Sequence, residues 1–92
     1  MPRPRMKRRV DFEPNVVYFK PQGIPLRELE EVTLTYEEMQ ALKLVNIQGL
    51  GQKEAAEKMN ISQPIFFREL RDATKKVTEA LVEGKAIKIE KK

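Results

Sequence analysis

QKEAAEKMNISQPIFFRELR, residues 52–71, is the stretch on which the fold turns. It reads as two helices joined by a tight turn. Ala56 falls midway along the first helix, where a small side chain lets a second helix cross closely. Met59, Ile61, Phe66 and Leu70 supply the apolar faces that hold the pair together. Asn60 takes the turn position that needs a left-handed backbone, which Asn tolerates better than any residue but Gly. Ser62 follows as the cap of the second helix, its hydroxyl accepting from an orphan N–H. Helical hairpins of this kind serve as DNA-reading helix-turn-helix units, with the second helix in the major groove.

Working outward, the second helix of the pair should be long. Pro64 sits in its first turn, where no N–H is needed. Phe66, Leu70, Ala73, Val77 and Leu81 then recur at helical steps to Glu83, and Gly84 is the stop. Upstream, Thr35 followed by Glu38 makes a capping box, and Leu34 with Met39 makes a hydrophobic staple. A helix should therefore begin at Tyr36, carry the stripe Met39, Leu42, Val45, and end by Gly49 or Gly51. The next helix runs from Gln52 to about Met59, with Gly51 a weaker cap than Ser or Thr.

The flanks read differently. Val16–Phe19 is β-branched and aromatic between Pro14 and Pro21, as a short strand should be. Ala86–Ile89 alternates as a second strand, and pairing of the two would join the chain ends. Leu26, Leu29 and Val32 have the spacing of a short helical turn. The expected fold is mainly α: a three-helix core containing a helix-turn-helix (hairpin at 52–71), short flanking β-strands and a basic N-terminal arm. Residues 1–10 form the arm and residues 11–92 a single domain.

Composition narrows the function. With no Cys and no His among 92 residues, the common nucleophile, general base and zinc ligands are missing. No enzyme, metal, cofactor or small-molecule ligand is expected. No apolar run approaches the length of a membrane span, so the expectation is a soluble cytoplasmic protein. The formal charge is +4, but it is unevenly placed. Arg3, Arg5, Lys7, Arg8 and Arg9 crowd the arm without an acid among them. Beyond the arm, residues 62–92 are basic on balance and residues 26–61 acidic. That polarity suits a protein that lays one side against phosphates.

If Phe66, Leu70 and Ala73 face the core, Gln63, Phe67, Arg68 and Arg71 face away near the helix N-terminus. Gln63 is suited to adenine, Arg68 to guanine or a phosphate. Phe67 either packs on a thymine methyl or covers the core or an oligomer contact, and the sequence leaves both open. Gln52, Ser62, Arg71 and Lys75 are candidate phosphate contacts. One of Lys75 and Lys76 is expected only to solvate the helix. Arg3 and Arg5, with Lys7, Arg8 and Arg9 beside them, are candidates for the minor groove and backbone.

Four stretches also carry a resemblance. MPRPRMKRRV (1–10), YFKPQGIPLRELEEVTLTYEEMQALKLV (18–45), GQKEAAEKMNISQPIFFREL (51–70) and ALVEGKAIKIE (80–90) resemble a family of small uncharacterised bacterial and archaeal proteins, generally described as predicted DNA-binding. The hairpin is similar to the promoter-reading fourth region of bacterial sigma factors. Family members often have Ser in place of Gly51, Gly in place of Asn60 and Arg in place of Gln63. The last change falls on a base-reading position, so no target sequence transfers.

The leading expectation is a sequence-specific double-stranded DNA-binding transcription regulator, working as a homodimer because one hairpin reads only a few base pairs. The alternative is a protein–protein adaptor that touches transcription machinery through the sigma-like hairpin, with Glu28, Glu30, Glu31, Glu37 and Glu38 meeting a basic partner. RNA binding through the Arg-rich arm is a third reading, weakened by the lack of aromatic stacking platforms.

Overall fold

In a computed structural model, the structure describes Pro14 and residues 17–91. The arm residues Arg3, Arg5, Lys7, Arg8 and Arg9 lie outside the described residues, as does Val16.

The elements run β1 (Tyr18–Phe19), a 3-10 turn (Leu26–Glu28), β2 (Glu31–Thr35), α1 (Tyr36–Leu42), α2 (Gln52–Lys58), α3 (Gln63–Glu83) and β3 (Ala86–Glu90). The strands form one sheet in the order β1-β3-β2. β1 runs antiparallel to β3, with Tyr18 opposite Lys88 and Phe19 opposite Ile87. The expected pairing of these two strand segments is thus observed at Tyr18 and Phe19. β2 was not expected. It runs parallel to β3 from Glu31↔Ala86 to Thr35↔Glu90, with all three helices in the connection between them. The helical turn expected over 26–32 is therefore confined to Leu26–Glu28. Leu34 and Val32 point their apolar side chains inward from a strand, because β3 offers its second edge to Glu31–Thr35.

The strand-to-helix junction follows the capping chemistry. Thr35 Oγ1 accepts from Glu38 N at 3.0 Å, and Glu38 Oε1 accepts from Thr35 N at 3.0 Å. Each bond satisfies a backbone donor that the first helical turn leaves without a partner. α1 continues through a wider π-helical segment, Lys43–Ile47, and stops before Gly49, whose φ is +74°. Its most deeply buried members are Gln40, Ala41 and Leu44. Met39, Leu42 and Val45, the stripe expected there, are half-buried at its edges.

α2 and α3 close on one core. Ala41, Leu44, Ala55, Ala56, Met59 and Phe66 are buried together, with Val45, Leu50, Ile61 and Leu70 packed around them. Phe66 has no exposed surface, and burying a side chain of that size is worth about 1.5–3 kcal/mol. A second cluster of Leu34, Ala73 and Ile89 fixes α3 to the sheet, with Leu42, Val77 and Ile87 beside it. One long helix therefore joins both halves of the interior. Its inner stripe is Phe66, Leu70, Ala73, Val77 and Ala80, not Leu81, which is 76% exposed. A strict alternation of four- and three-residue steps reaches residue 80. Leu81 is one residue further round and leaves the core.

Candidate nucleic-acid interface

The turn between α2 and α3 is short and fully specified by local chemistry. Met59 N donates to the carbonyls of Ala55 and Ala56 at 3.1 Å, so α2 tightens as it ends. Asn60 then adopts φ +60°, the left-handed region, and Ile61 N returns to Ala56 O at 3.1 Å. This is the backbone reversal that Asn60 was expected to supply. Ser62 caps α3, its Oγ accepting from Ile65 N at 3.4 Å and its carbonyl accepting from Phe66 N at 2.9 Å. Pro64 occupies the first turn.

With Phe66 and Leu70 turned into the core, Gln63, Phe67, Arg68 and Arg71 are among the outward residues near the start of α3. All four are exposed. Phe67 is half exposed, at 49%, so it does not cover the core of its own chain. Arg71 Nε lies 3.8 Å from Asp72, an exposed pair that holds it only loosely. Lys75 is exposed one turn further on. Gln52, at the N-terminus of α2, is half-buried, and Ser62 is exposed.

Lys76 belongs elsewhere. Its Nζ donates to both carboxylate oxygens of Glu38, at 2.9 and 3.0 Å. Glu38 is 7% exposed, so it is an internal anchor between α1 and α3 and no part of an acidic surface patch. Glu31 is also engaged, accepting from Tyr18 Oη at 2.7 Å, and that bond holds the Tyr18 hydroxyl above its ordinary pKa. Glu30 lies 3.5 Å from Lys85. Of the acidic run Glu28, Glu30, Glu31, Glu37 and Glu38, only Glu38 is withdrawn into the interior, while Glu28, Glu30 and Glu31 stay exposed.

At the far end of α3, Lys85 Nζ gathers three acids. It hydrogen-bonds Glu79 at 2.5 Å and lies 3.3 Å from Glu83 and 3.5 Å from Glu30. The Glu79 bond, with Glu83 adding to it, raises the Lys85 pKa, and the same bond lowers that of Glu79. Sequence reasoning missed this cluster. Its members are spread over the loop before β2, the end of α3 and the residue after Gly84, and only the fold assembles them. Among the described residues, no group of three or more His, Cys, Asp or Glu is placed to hold a metal ion. No described helix is long and apolar enough to cross a membrane.

Comparison with known proteins bears out the resemblance to a family of small uncharacterised bacterial and archaeal proteins. The family model described as "Protein of unknown function DUF134" matches residues 1–91. A UPF0251 protein of Caldanaerobacter subterraneus subsp. tengcongensis is 54% identical over 90 residues, covering 98% of this chain and 76% of that protein. A UPF0251 protein of Moorella thermoacetica is 53% identical, covering 98% of this chain and 60% of its own length. An archaeal relative, a UPF0251 protein of Methanosarcina acetivorans, is 51% identical over 87 residues, covering 95% of this chain and 78% of its own. No solved structure matches the chain. A match over almost its whole length, with bacterial and archaeal relatives at about half identity, places this chain in the DUF134/UPF0251 family.

Proposed function

We propose that the protein binds double-stranded DNA in a sequence-specific manner, with the first two turns of α3 in the major groove, and that it regulates transcription. The observation that carries this reading is the exposed set Gln63, Phe67, Arg68 and Arg71 at the start of a helix whose opposite face is locked into the core. A rigid helix with its N-terminal turns outward can follow a groove about 12 Å wide. In this reading Gln63 and Arg68 meet base edges and Phe67 offers an apolar surface to a thymine methyl. Arg71 and Lys75 meet phosphates. Gln52 and Ser62, at the N-termini of α2 and α3, hold the flanking backbone through side chains and helix N–H groups.

The charge distribution supports the same orientation. Arg68, Arg71 and Lys75 follow one another at helical spacing along the outer face of α3, whereas Glu38 is withdrawn into the interior by Lys76. The basic arm at residues 1–10 adds positive charge in the same chain. Its proposed role is to grip the minor groove or the backbone beside the hairpin.

The test is a binding titration of duplex DNA against the full chain and the double variant Arg68→Glu, Arg71→Glu. The proposal expects the variant to keep its helicity and lose duplex binding by at least about a hundredfold, since two cations become two anions at the contact. Unchanged binding would overturn the proposal and leave the protein–protein adaptor reading. Stronger binding of RNA than of duplex DNA would overturn it in favour of the arm.

A further inference from the structure

We propose that the free edge of β2 is a docking site for an extended basic peptide of another protein, which adds to the sheet as a further strand. β2 is paired on one side only, because the sheet runs β1-β3-β2. Ala86 N donates to Glu30 O at 2.9 Å, and the parallel register sets Glu31 opposite Ala86 and Thr33 opposite Lys88. In a parallel ladder, alternate residues bond the neighbouring strand. Val32 and Leu34 therefore turn their N–H and C=O groups to β3, whereas Glu31 and Thr33 turn theirs outward. Both are exposed, and among the described residues no strand pairs beyond them.

The two edges of the sheet differ in how they are protected. β1 spans Tyr18–Phe19 alone and is followed at once by Lys20 and Pro21, a cation and a residue without an N–H. Short length, lysine and proline are devices by which exposed edges avoid adding strands. β2 has none of them. It runs for five residues, Glu31–Thr35, in unbroken register and without Pro, Lys or Gly. The Glu38 cap occupies Thr35 N, so the open stretch of the edge is Glu31 to Thr33.

Charge selects the occupant. The chain leading into and along this edge, residues 26–35, carries Glu28, Glu30 and Glu31 against Arg27. All three acids are exposed. Glu31 accepts from a neutral hydroxyl, Tyr18 Oη, so its negative charge stands. Lys88, on the strand behind, is held by Glu90 at 2.9 Å. Glu30 shares Lys85 with Glu79 and Glu83, three carboxylates around one ammonium. Opposite charges on adjacent strands stabilise a sheet and like charges destabilise it, so a strand bearing Lys or Arg fits this edge. A second copy laid edge to edge would double the acids and fits it poorly. Half-buried Val32, turned inward, gives the alternate side chains of an added strand an apolar neighbour. None of these residues is assigned to DNA, so the inference stands apart from that reading.

The test is a titration of the full chain with a short capped peptide of alternating lysine and valine, followed by amide NMR shifts and hydrogen exchange. Exchange at the Glu31 and Thr33 amides is expected to slow at least about tenfold at saturation, with Val32 and Leu34 unchanged because β3 already holds them. Thr33→Pro removes an outward N–H that the ladder to β3 does not use, so the variant should stay folded by circular dichroism and bind the peptide at least about tenfold more weakly. The double variant E28Q/E31Q leaves the backbone edge intact and should also weaken binding about tenfold, and added salt should weaken binding to the wild type. Unslowed Glu31 and Thr33 amides at millimolar peptide overturn the proposal, as does full binding by E28Q/E31Q. A peptide with threonine in place of lysine that binds equally well overturns the basic occupant. Glu31 and Thr33 amides that slow with rising protein concentration, without peptide, overturn it in favour of a second copy.

Discussion

Replacing Glu38 by Ala removes three hydrogen bonds at once, and the structure allows their loss to be sized. Glu38 Oε1 caps Thr35 N, and both carboxylate oxygens accept from Lys76 Nζ. Loss of the capping half costs about 1 kcal/mol, the usual value for such a cap. Removing one partner of a fully buried ion pair costs about 3–5 kcal/mol. The Lys76 side chain, however, is 35% exposed, against 10% for Glu38. Water reaches the abandoned ammonium, and this part falls to roughly 1–2 kcal/mol. The expected total is roughly 2–3 kcal/mol, a large share of the stability of a domain this size. Thermal unfolding followed by circular dichroism should show Tm lower by roughly 10–20 °C, at about 4–8 °C per kcal/mol. Glu38→Gln keeps an acceptor for Thr35 N and loses the charge, so it should give about half the effect. A cycle with Lys76→Met should show coupling of at least about 1 kcal/mol between the two positions. A loss below about 1 kcal/mol for Glu38→Ala, or strict additivity with Lys76→Met, would refute the view that this pair ties α1 to α3.

The same structure sets other expectations. Asn60→Val forces a β-branched side chain into the left-handed region at φ +60° and should cost about 1–3 kcal/mol in denaturant unfolding, while Asn60→Gly should be neutral or stabilising. Tyr18 donates to Glu31, which raises its pKa, so the bond contributes at and below pH 10.0 and is lost as pH rises through the folded-state value. An absorbance titration should show one tyrosine ionising above the ordinary range, and Tyr18→Phe should abolish that late step. Glu79 is held below its ordinary value of 4.5 by Lys85, so its contribution is present at neutral pH and lost as the pH falls through the depressed folded-state value. Lys85→Met should therefore weaken the protein at pH 7 and leave less of the acid-induced loss to occur.

What could be read from the sequence was whatever chemistry acts over a few residues. The Thr35–Glu38 spacing, the left-handed turn at Asn60, the Ser62 cap and the stop at Gly84 are each set by neighbours in the chain, and each stands where the spacing placed it. β2 was hidden because Leu26, Leu29 and Val32 also fit a helical repeat, and only the free edge of β3, more than fifty residues later, decides for a strand. Leu81 also fits a helical step, four residues after Val77, whereas the buried stripe takes a three-residue step there to small Ala80. Gln63, Phe67, Arg68 and Arg71 were legible as one outward set because a buried Phe66 fixes the phase of the helix. The Glu38–Lys76 pair, 38 residues apart, and the acids around Lys85 have no local signature.

The most direct test of the central claim is selection of bound duplexes from a random DNA library by the full chain at near-physiological salt. The account predicts an enriched motif, lost in an Arg68→Glu, Arg71→Glu variant that remains folded. Recovery of duplexes with no enriched motif, or no recovery at all, would contradict sequence-specific reading by α3.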